Sequence, residues 1–296
     1  MPGRLVICPT PIGNLGDMTL RTLDELREAD VVCAEDTRVT GKLLAHFGIE
    51  KRLERLDEAT ISREAARIAR RIAEGEIVAF CSDAGMPGVS DPGARLIEAA
   101  QAQDCDITVL PGASAATTAY VASGFSNPRF YFGGFFPRKD SERREVLESL
   151  ALLDAVLVFY ESPRRIAASL QAVADVFPHR EVAVCRELTK LHEEVFRAGA
   201  CDVRDEFLDR HERCGIKGEI ALVIGPPTHA EEEVRRESAS ASAADRAAEL
   251  VAEGRLSRKE IVKVLRDEFG ISRNEAYDLC RAGVADEPND AWNCGR

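Results

Sequence analysis

The sequence predicts an α/β protein with a parallel-sheet first domain, a mixed-sheet second domain and a small C-terminal helical module. Three observations predict it. Short β-branched runs alternate with amphipathic helical stretches from the first residues onward. That alternation breaks at a Gly/Ser/Asn/Pro connection over 123–127. A low-complexity stretch, ESASASAADRAA, then separates the body of the chain from two short capped helices. A length of 296 residues agrees, because single cores rarely grow that large.

The first domain, expected over 1–120, opens with the strand RLVIC (4–8) and a helix over 19–28, then the strand VVCAE (31–35) and a helix over 38–47. A helix over 62–74, the strand IVAFC (77–81), a helix over 91–103, the strand DITVL (106–110) and a helix from about Ala113 complete it. Continuously apolar strands joined through helices require a parallel sheet covered on both faces. In Ser90-Asp91-Pro92, Asp91 can cap the following helix and Pro92 can take its first position. The second domain, 121–227, starts with the aromatic run FYFGGFF (130–136) and the basic Pro137-Arg138-Lys139. Strands are expected near 154–160, 181–185, 193–198 and 219–224, with helices at about 163–176 and 202–210. Two of these strands follow one another with no helix between them, which makes the sheet mixed.

Residues 228–248 read as a mobile or helical linker, being rich in Glu, Arg, Ser and Ala. The module expected over 249–284 holds helices over 257–268 and 272–281, each with a Ser N-cap and with Glu260 or Glu275 at the capping-box position. The last residues, 285–296, read as a disordered tail.

Composition narrows the function. With 39 Lys+Arg against 51 Asp+Glu, the net charge is -12, so the molecule lacks the overall positive field of a non-specific nucleic-acid binder and any RNA contact must be local. The apolar runs 155–160 and 220–224 are far shorter than a bilayer span, and the N-terminus carries no basic region followed by an apolar one. The expected location is the cytoplasm. Nine cysteines is an odd count, and Cys8, Cys81 and Cys185 sit in apolar strand-like runs, as reduced core residues do. Cys201, His211 and Cys214 come nearest to a metal set, but no CxxC pair accompanies them, and no metal is expected. A GxxxxGK[ST] loop, a GxGxxG turn after the first strand and a GxSxG elbow are all missing.

Three loops stand at the C-terminal ends of the first-domain strands, where open α/β sheets bind ligands. They are PTPIGNLGD (9–17), SDAGMPGVSDPG (82–93) and PGAS (111–114). Gly85, Gly88 and Gly93, with Pro87 and Pro92, let bare backbone approach a ligand while fixing its shape. Any one of the loops reads equally as an ordinary turn; the three together point to a ligand crevice.

These loops, with AEDTR (34–38), GKLLAHFGI (41–49), LPGASA (110–115), GFFPRK (134–139), FYESPRR (159–165), RELTKLHEE (186–194) and KGEIALVIG (217–225), resemble the ribosomal RNA small subunit methyltransferase I family of the tetrapyrrole methylase superfamily. The likeness runs in order over about 5–225, and the tail at 255–281 resembles that family's small helical domain. It implies a two-domain tetrapyrrole-methylase-like, class III methyltransferase fold. It also implies S-adenosylmethionine as cofactor, in a cleft between the domains, and a homodimer. The implied reaction methylates the ribose 2′-oxygen of a decoding-centre cytidine in 16S rRNA, and an acidic enzyme with scattered basic patches is expected to need the shaped surface of an assembled 30S subunit. Carried onto this chain, the cofactor residues are Pro11, Ile12, Asp83, Gly85, Met86, Ser114, Ala115, Tyr160 and Gly218. For Asp83 a cap or turn role stands beside the cofactor role. One stretch departs from the family pattern: Asp57-Glu58-Ala59-Thr60 occupies the place of a His-Glu-His-Asn-like run, so no histidine base is assigned.

Methyl transfer to a ribose hydroxyl is a direct displacement that rests mostly on alignment, with a general base adding to it. The candidates are Glu35, Asp36, Arg38, Arg186, Glu187 and Lys190. Each has a structural alternative, in which Arg186 and Glu187 pair with each other or with Glu35 and Arg38 across the cleft. RNA contact is expected from Arg138, Lys139, Arg143, Arg144, Arg164 and Arg165, with Arg129 and the aromatics Phe130, Tyr131, Phe135 and Phe136 interleaved. The alternative is a solvated helix face and buried strand aromatics. Two rival functions remain: a small-molecule methylase acting on a tetrapyrrole, against which the basic PRK loop speaks, and a non-enzymatic RNA-binding factor.

Overall fold

A computed structural model describes residues 3–282, which form two units, one up to Pro226 and one from Pro227. The first unit contains two five-stranded sheets. Strands β1 (Arg4–Ile7), β2 (Val31–Ala34), β3 (Leu53–Arg55), β4 (Ile77–Cys81) and β5 (Asp106–Val109) make an all-parallel sheet in the order β3-β2-β4-β1-β5. Helices α1 (Leu20–Glu28) and α2 (Thr37–His46) cover one face, while α3 (Ile61–Ala73) and α4 (Gly93–Gln101) cover the other. Side-chain alternation explains why the strands are apolar throughout. Leu5, Ile7, Val78 and Phe80 pack on Ile68, Ile72 and Leu96, whereas Val6, Cys8, Ala79 and Cys81 pack on Leu23, Leu26 and Leu44. Adjacent strands β1 and β4 lead off in opposite directions, β1 toward β2 and β4 toward β5, which is where such sheets open a ligand crevice.

The second sheet runs β6 (Phe130–Phe135), β7 (Val156–Glu161), β10 (Ile220–Ile224), β8 (Glu181–Arg186), β9 (Glu194–Gly199). The β6–β7 pair is parallel and the remaining pairs antiparallel, so the expected mixed sheet is found. Helices α6 (Asp140–Leu150), α7 (Ile166–Val176) and α8 (Ala200–Cys214) pack on one face through Leu147, Leu170, Val173, Val203 and Phe207. Leu170 is fully buried there, so Leu170→Ala is expected to cost about 2–5 kcal/mol of unfolding free energy, measured as a lower denaturant midpoint at an unchanged m-value. The opposite face carries α5 (Ala115–Ala122), whose Ala116 and Ala119 pack with Val156, Val158, Ala183 and Val223. Ile12, from the loop after β1, sits in that same cluster.

Several expectations change. The passage from the first sheet to the second falls at the 111–114 turn, before α5, not near residue 120, because the small apolar face of α5 belongs to the second sheet. The aromatic run is strand β6, and helix α6 and strand β3 are additional elements. The stretch 228–248, expected as a mobile or helical linker, takes the helical form: capped by Thr228 in a capping box with Glu231, it runs into one helix, α9 (His229–Glu253). Alanine-rich composition favours helix even where little is buried. In the second unit Ala243, Ala247 and Leu250 of α9 share a cluster with Ile261 and Leu265 of α10 (Arg258–Phe269) and Ala276 and Cys280 of α11 (Arg273–Ala282). Ser257 and Glu260 form the expected capping box, and Ser272 accepts the Glu275 N–H. The eight cysteines among the described residues are free thiols. The tail expected at 285–296 lies outside the described residues.

Candidate active site

The three loops and one end of the strands of the second sheet enclose a cleft of about 430 Å³, a volume in the range of small-molecule sites. Its floor is assembled by backbone bonds between loops. Thr10 and Gly85 exchange two hydrogen bonds of 3.0 Å, and the Thr10 hydroxyl donates to the Ser82 carbonyl. These bonds tie the loop after β1 to the loop after β4. Gly85 has φ +80, and a Cβ there would stand 3.2 Å from the Ile12 side chain, so both the turn and the close approach require glycine. Farther along, the Asp91 carboxylate accepts the N–H groups of Gly88 and Gly93, each at 2.8 Å, which closes the loop onto the start of α4. The tips of β2 and β4 interlock too: Asp83 Oδ1 accepts the Asp36 N–H at 3.0 Å, which sets the Asp83 backbone beside the Glu35 carboxyl, where it partly offsets the effect of burial.

The facing wall comes from Phe135, Tyr160–Pro163, Leu188 and Gly218–Ala221. Glu161, fully buried at its side chain, is held by Arg165 at 2.6 Å, by the Ser162 N–H at 2.6 Å and by the Ser169 hydroxyl. Next to it the turn after β8 is tightly bound. The Glu187 carboxylate accepts the Glu219 N–H and Lys190 Nζ, each at 2.9 Å, and Lys190 also reaches Glu219 at 2.9 Å. The Lys190 stem lies across Gly13, where an added Cβ would fall 2.4 Å from Lys190 Cγ, so this turn touches the loop after β1. Glu187 and Thr189 both have positive φ, at +53 and +66, a strain that persists only where surroundings enforce it.

Among the described residues, five carboxylates line the cleft (Glu35, Asp83, Asp91, Glu161 and Glu219) and no basic side chain does. Glu161 and Glu219 have cation partners; Glu35, Asp83 and Asp91 make no ion pair among the described residues. Burial, reinforced by the Asp83 charge, raises the Glu35 carboxyl above its ordinary range, and burial also raises Asp91 against its two backbone donors. Burial raises the Tyr160 hydroxyl and pushes the Cys185 thiol up to about 12, so neither ionises near neutrality.

The structure places the expected cofactor residues as follows. Ile12, Asp83, Gly85, Met86, Ser114, Ala115, Tyr160 and Gly218 all line the cleft, and Pro11 does not. Of the expected catalytic group only Glu35 lines it. Asp36 turns outward to Arg38 at 2.5 Å, which holds its carboxyl below the usual range, and Asp36 also caps α2. Arg186 pairs with Glu194 at 3.0 Å, directly opposite it on β9, and Glu187 pairs with Lys190, so the bridges expected across the cleft to Glu35 and Arg38 are absent. Burial works against the Lys190 charge, but its bonds to Glu187 and Glu219 raise its pKa, so it stays protonated and is no base.

The expected RNA-contact residues divide sharply. Arg143 is 6% exposed, with Asp140 at 3.5 Å, and cannot present its guanidinium outward. Arg144 bridges Asp140 and Asp175, Arg165 is occupied by Glu161 and the Phe136 carbonyl, and Lys139 is exposed beside Glu142. Arg138 and Arg164 are exposed and without an ion pair among the described residues. Sequence reasoning missed Glu161, Leu188 and Glu219 as lining residues, although all three lie within quoted motifs. Among the described residues no three His, Cys, Asp or Glu side chains gather as a metal site.

The family model for Tetrapyrrole (Corrin/Porphyrin) Methylases matches residues 4–202. A ribosomal RNA small subunit methyltransferase I of Halalkalibacterium halodurans is 38% identical over 94% of this chain and 94% of its own. Its counterpart in Thermotoga maritima is 41% identical over 75% of this chain and 98% of its own, and that of Bacillus subtilis is 36% identical over 93% of each. Among solved structures, diphthine synthase superposes with a TM-score of 0.58 at 16% identity, over 77% of this chain and 92% of that one. A uroporphyrin-III-C-methyltransferase from Thermus thermophilus superposes with 0.55 at 22%, over 75% and 94%. At these identities the solved structures speak for the fold alone.

Proposed function

Since the chain belongs to the tetrapyrrole (corrin/porphyrin) methylase family, and within it to the ribosomal RNA small subunit methyltransferase I group, we propose that it is an S-adenosylmethionine-dependent rRNA methyltransferase. Its target on this reading is the ribose 2′-oxygen of a decoding-centre cytidine in 16S rRNA, within the assembled 30S subunit. The enzyme works in the cytoplasm as a homodimer. One observation carries the reading: a cleft with apolar walls, several carboxylates and no lining cation.

The residues fit the cofactor. A sulfonium and an amine are cations, and the unpaired carboxylates of Glu35, Asp83 and Asp91 make the cleft hospitable to them. Ser114, the N-cap of α5, makes no side-chain cap bond, so the first N–H groups of that helix are donors for a carboxylate. Ile12, Met86, Tyr160 and Gly218 would frame the adenosyl group, with Gly85 and Ala115 allowing backbone approach, and Pro11 fixes the backbone that carries Ile12. When bound, S-adenosylmethionine supplies an electrophilic methyl group.

The remaining work falls to the chain's own side chains. Glu35 accepts the ribose hydroxyl proton: it is the cleft carboxylate with raised basicity that bonds no cation and caps no helix. Asp83 is fixed next to the residue that follows Glu35, through the bond it accepts from the Asp36 N–H, and its charge keeps the Glu35 carboxyl basic. Asp36 and Arg38 lock the tip of β2 beside these groups, while Arg186, Glu187 and Lys190 hold the turns of the facing wall. Incubating the protein with labelled cofactor and undermethylated 30S subunits, then sequencing rRNA fragments by mass spectrometry, should place one methyl on the ribose of one cytidine. Cofactor binding with no transfer to subunits or to free rRNA would sink the reading, and equal transfer to naked rRNA would remove its 30S context.

A further inference from the structure

Strand β6 contains a device that the cofactor reading does not use. Between Phe132, paired with Val158, and Phe135, paired with Tyr160, the strand carries one residue more than its neighbour, a bulge built from Gly133 and Gly134. Both glycines are required. A Cβ on Gly133 would lie 2.1 Å from the Phe159 ring, and Gly134 has φ +68. The outcome of the bulge is the placement of one ring. Phe135, 63% exposed, stands on the cleft wall and meets Tyr160 edge-on at 5.6 Å between centroids, while Phe136 turns into the core. An aromatic ring left in water by such specific backbone work, at the mouth of a site, has a planar partner to meet.

Charge indicates what that partner is. The cleft interior is anionic, so a polyanion cannot enter it along its backbone; only an uncharged part of such a ligand can. At the rim the sign changes. Arg138 lies three residues beyond Phe135, and Arg164 directly follows the lining residues Ser162 and Pro163; both are exposed and without an ion pair among the described residues. We propose that Phe135 is the platform on which the base of the target nucleotide stacks, with Arg138 and Arg164 holding the phosphates that flank it. This rests on the rRNA substrate reading above. A stack at the rim leaves base and phosphates outside and turns the ribose inward toward Glu35.

The test measures equilibrium binding of undermethylated 30S subunits to the wild type and to Phe135→Ala, Phe135→Leu and Phe135→Trp, alongside S-adenosylmethionine affinity by calorimetry. Stacking is worth enough that the Ala and Leu variants should each bind subunits about 5- to 100-fold more weakly, and the Trp variant about as well as wild type. Cofactor affinity should stay within about twofold in all three. Arg138→Ala and Arg164→Ala should weaken subunit binding and flatten its salt dependence. Unchanged subunit affinity in Phe135→Ala, or full affinity in Phe135→Leu, overturns the proposal. So does a parallel loss of cofactor affinity, or a changed sedimentation coefficient of the free protein, which would assign the ring to a protein contact. A wild type that neither binds nor methylates subunits defeats the rRNA reading itself, whereas a methylating wild type with an indifferent Phe135 defeats only the stack.

Discussion

Replacing Glu35 by Gln is expected to lower kcat for methyl transfer by about 10²–10⁴-fold while leaving cofactor affinity within a few-fold. The substitution keeps the shape of the side chain and one carbonyl acceptor, and removes only the capacity to take a proton. The pH profile gives a second readout. Burial and the neighbouring Asp83 charge raise the Glu35 pKa, and the ionised form is the one that works. The rate should therefore fall as pH drops, through a midpoint above the ordinary carboxylate range, and the residual activity of Glu35→Gln should lack that limb. A wild-type rate flat with pH, or a Gln variant as fast as wild type, would remove Glu35 as the proton acceptor.

The second large effect is expected at Gly218. A methyl group there would fall 2.5 Å from Glu187 Cγ and 2.6 Å from its Cδ, and the backbone sits at φ +96. Gly218→Ala should thus cost about 1–3 kcal/mol in backbone strain alone. It must also displace the carboxylate that binds the Glu219 N–H and Lys190. With Lys190 released from its place over Gly13, the turn after β8 and the loop after β1 lose part of their contact, and both flank the cleft. Cofactor affinity should drop about 10- to 100-fold by calorimetry, with a lower denaturant midpoint. A variant with normal affinity would show that the turn and the cleft are independent.

The three loops were legible because their constraint is on the backbone, and backbone constraints appear directly as glycine and proline. Gly85, Gly88, Pro87 and Pro92 stand where positive φ or tight turns occur. Strand β6 was harder to read, since Gly133-Gly134 resembles a break and acts as a bulge within a continuous pairing. Helix α6, DSERREVLESL, buries only Arg143 and Leu147 fully, so its apolar periodicity is faint. Charge partnerships were the least legible. A long side chain pairs with whatever the fold brings near it: Arg186 meets Glu194 because β8 and β9 are in that register, and nothing in RELTKLHEE states the register. The same ignorance placed Arg143 on the surface, when its neighbours draw it inside.

Ile12 belongs to a loop of the first sheet yet is packed in the apolar cluster of the second. Swinging the sheets apart would lift that side chain into water, so a wide hinge is uphill and access must come from local yielding of loops. The same anchorage bears on engineering. A chimaera that exchanges one sheet for that of a distant relative would have to carry the Ile12 knob and its socket together, because either alone would leave the crevice misaligned.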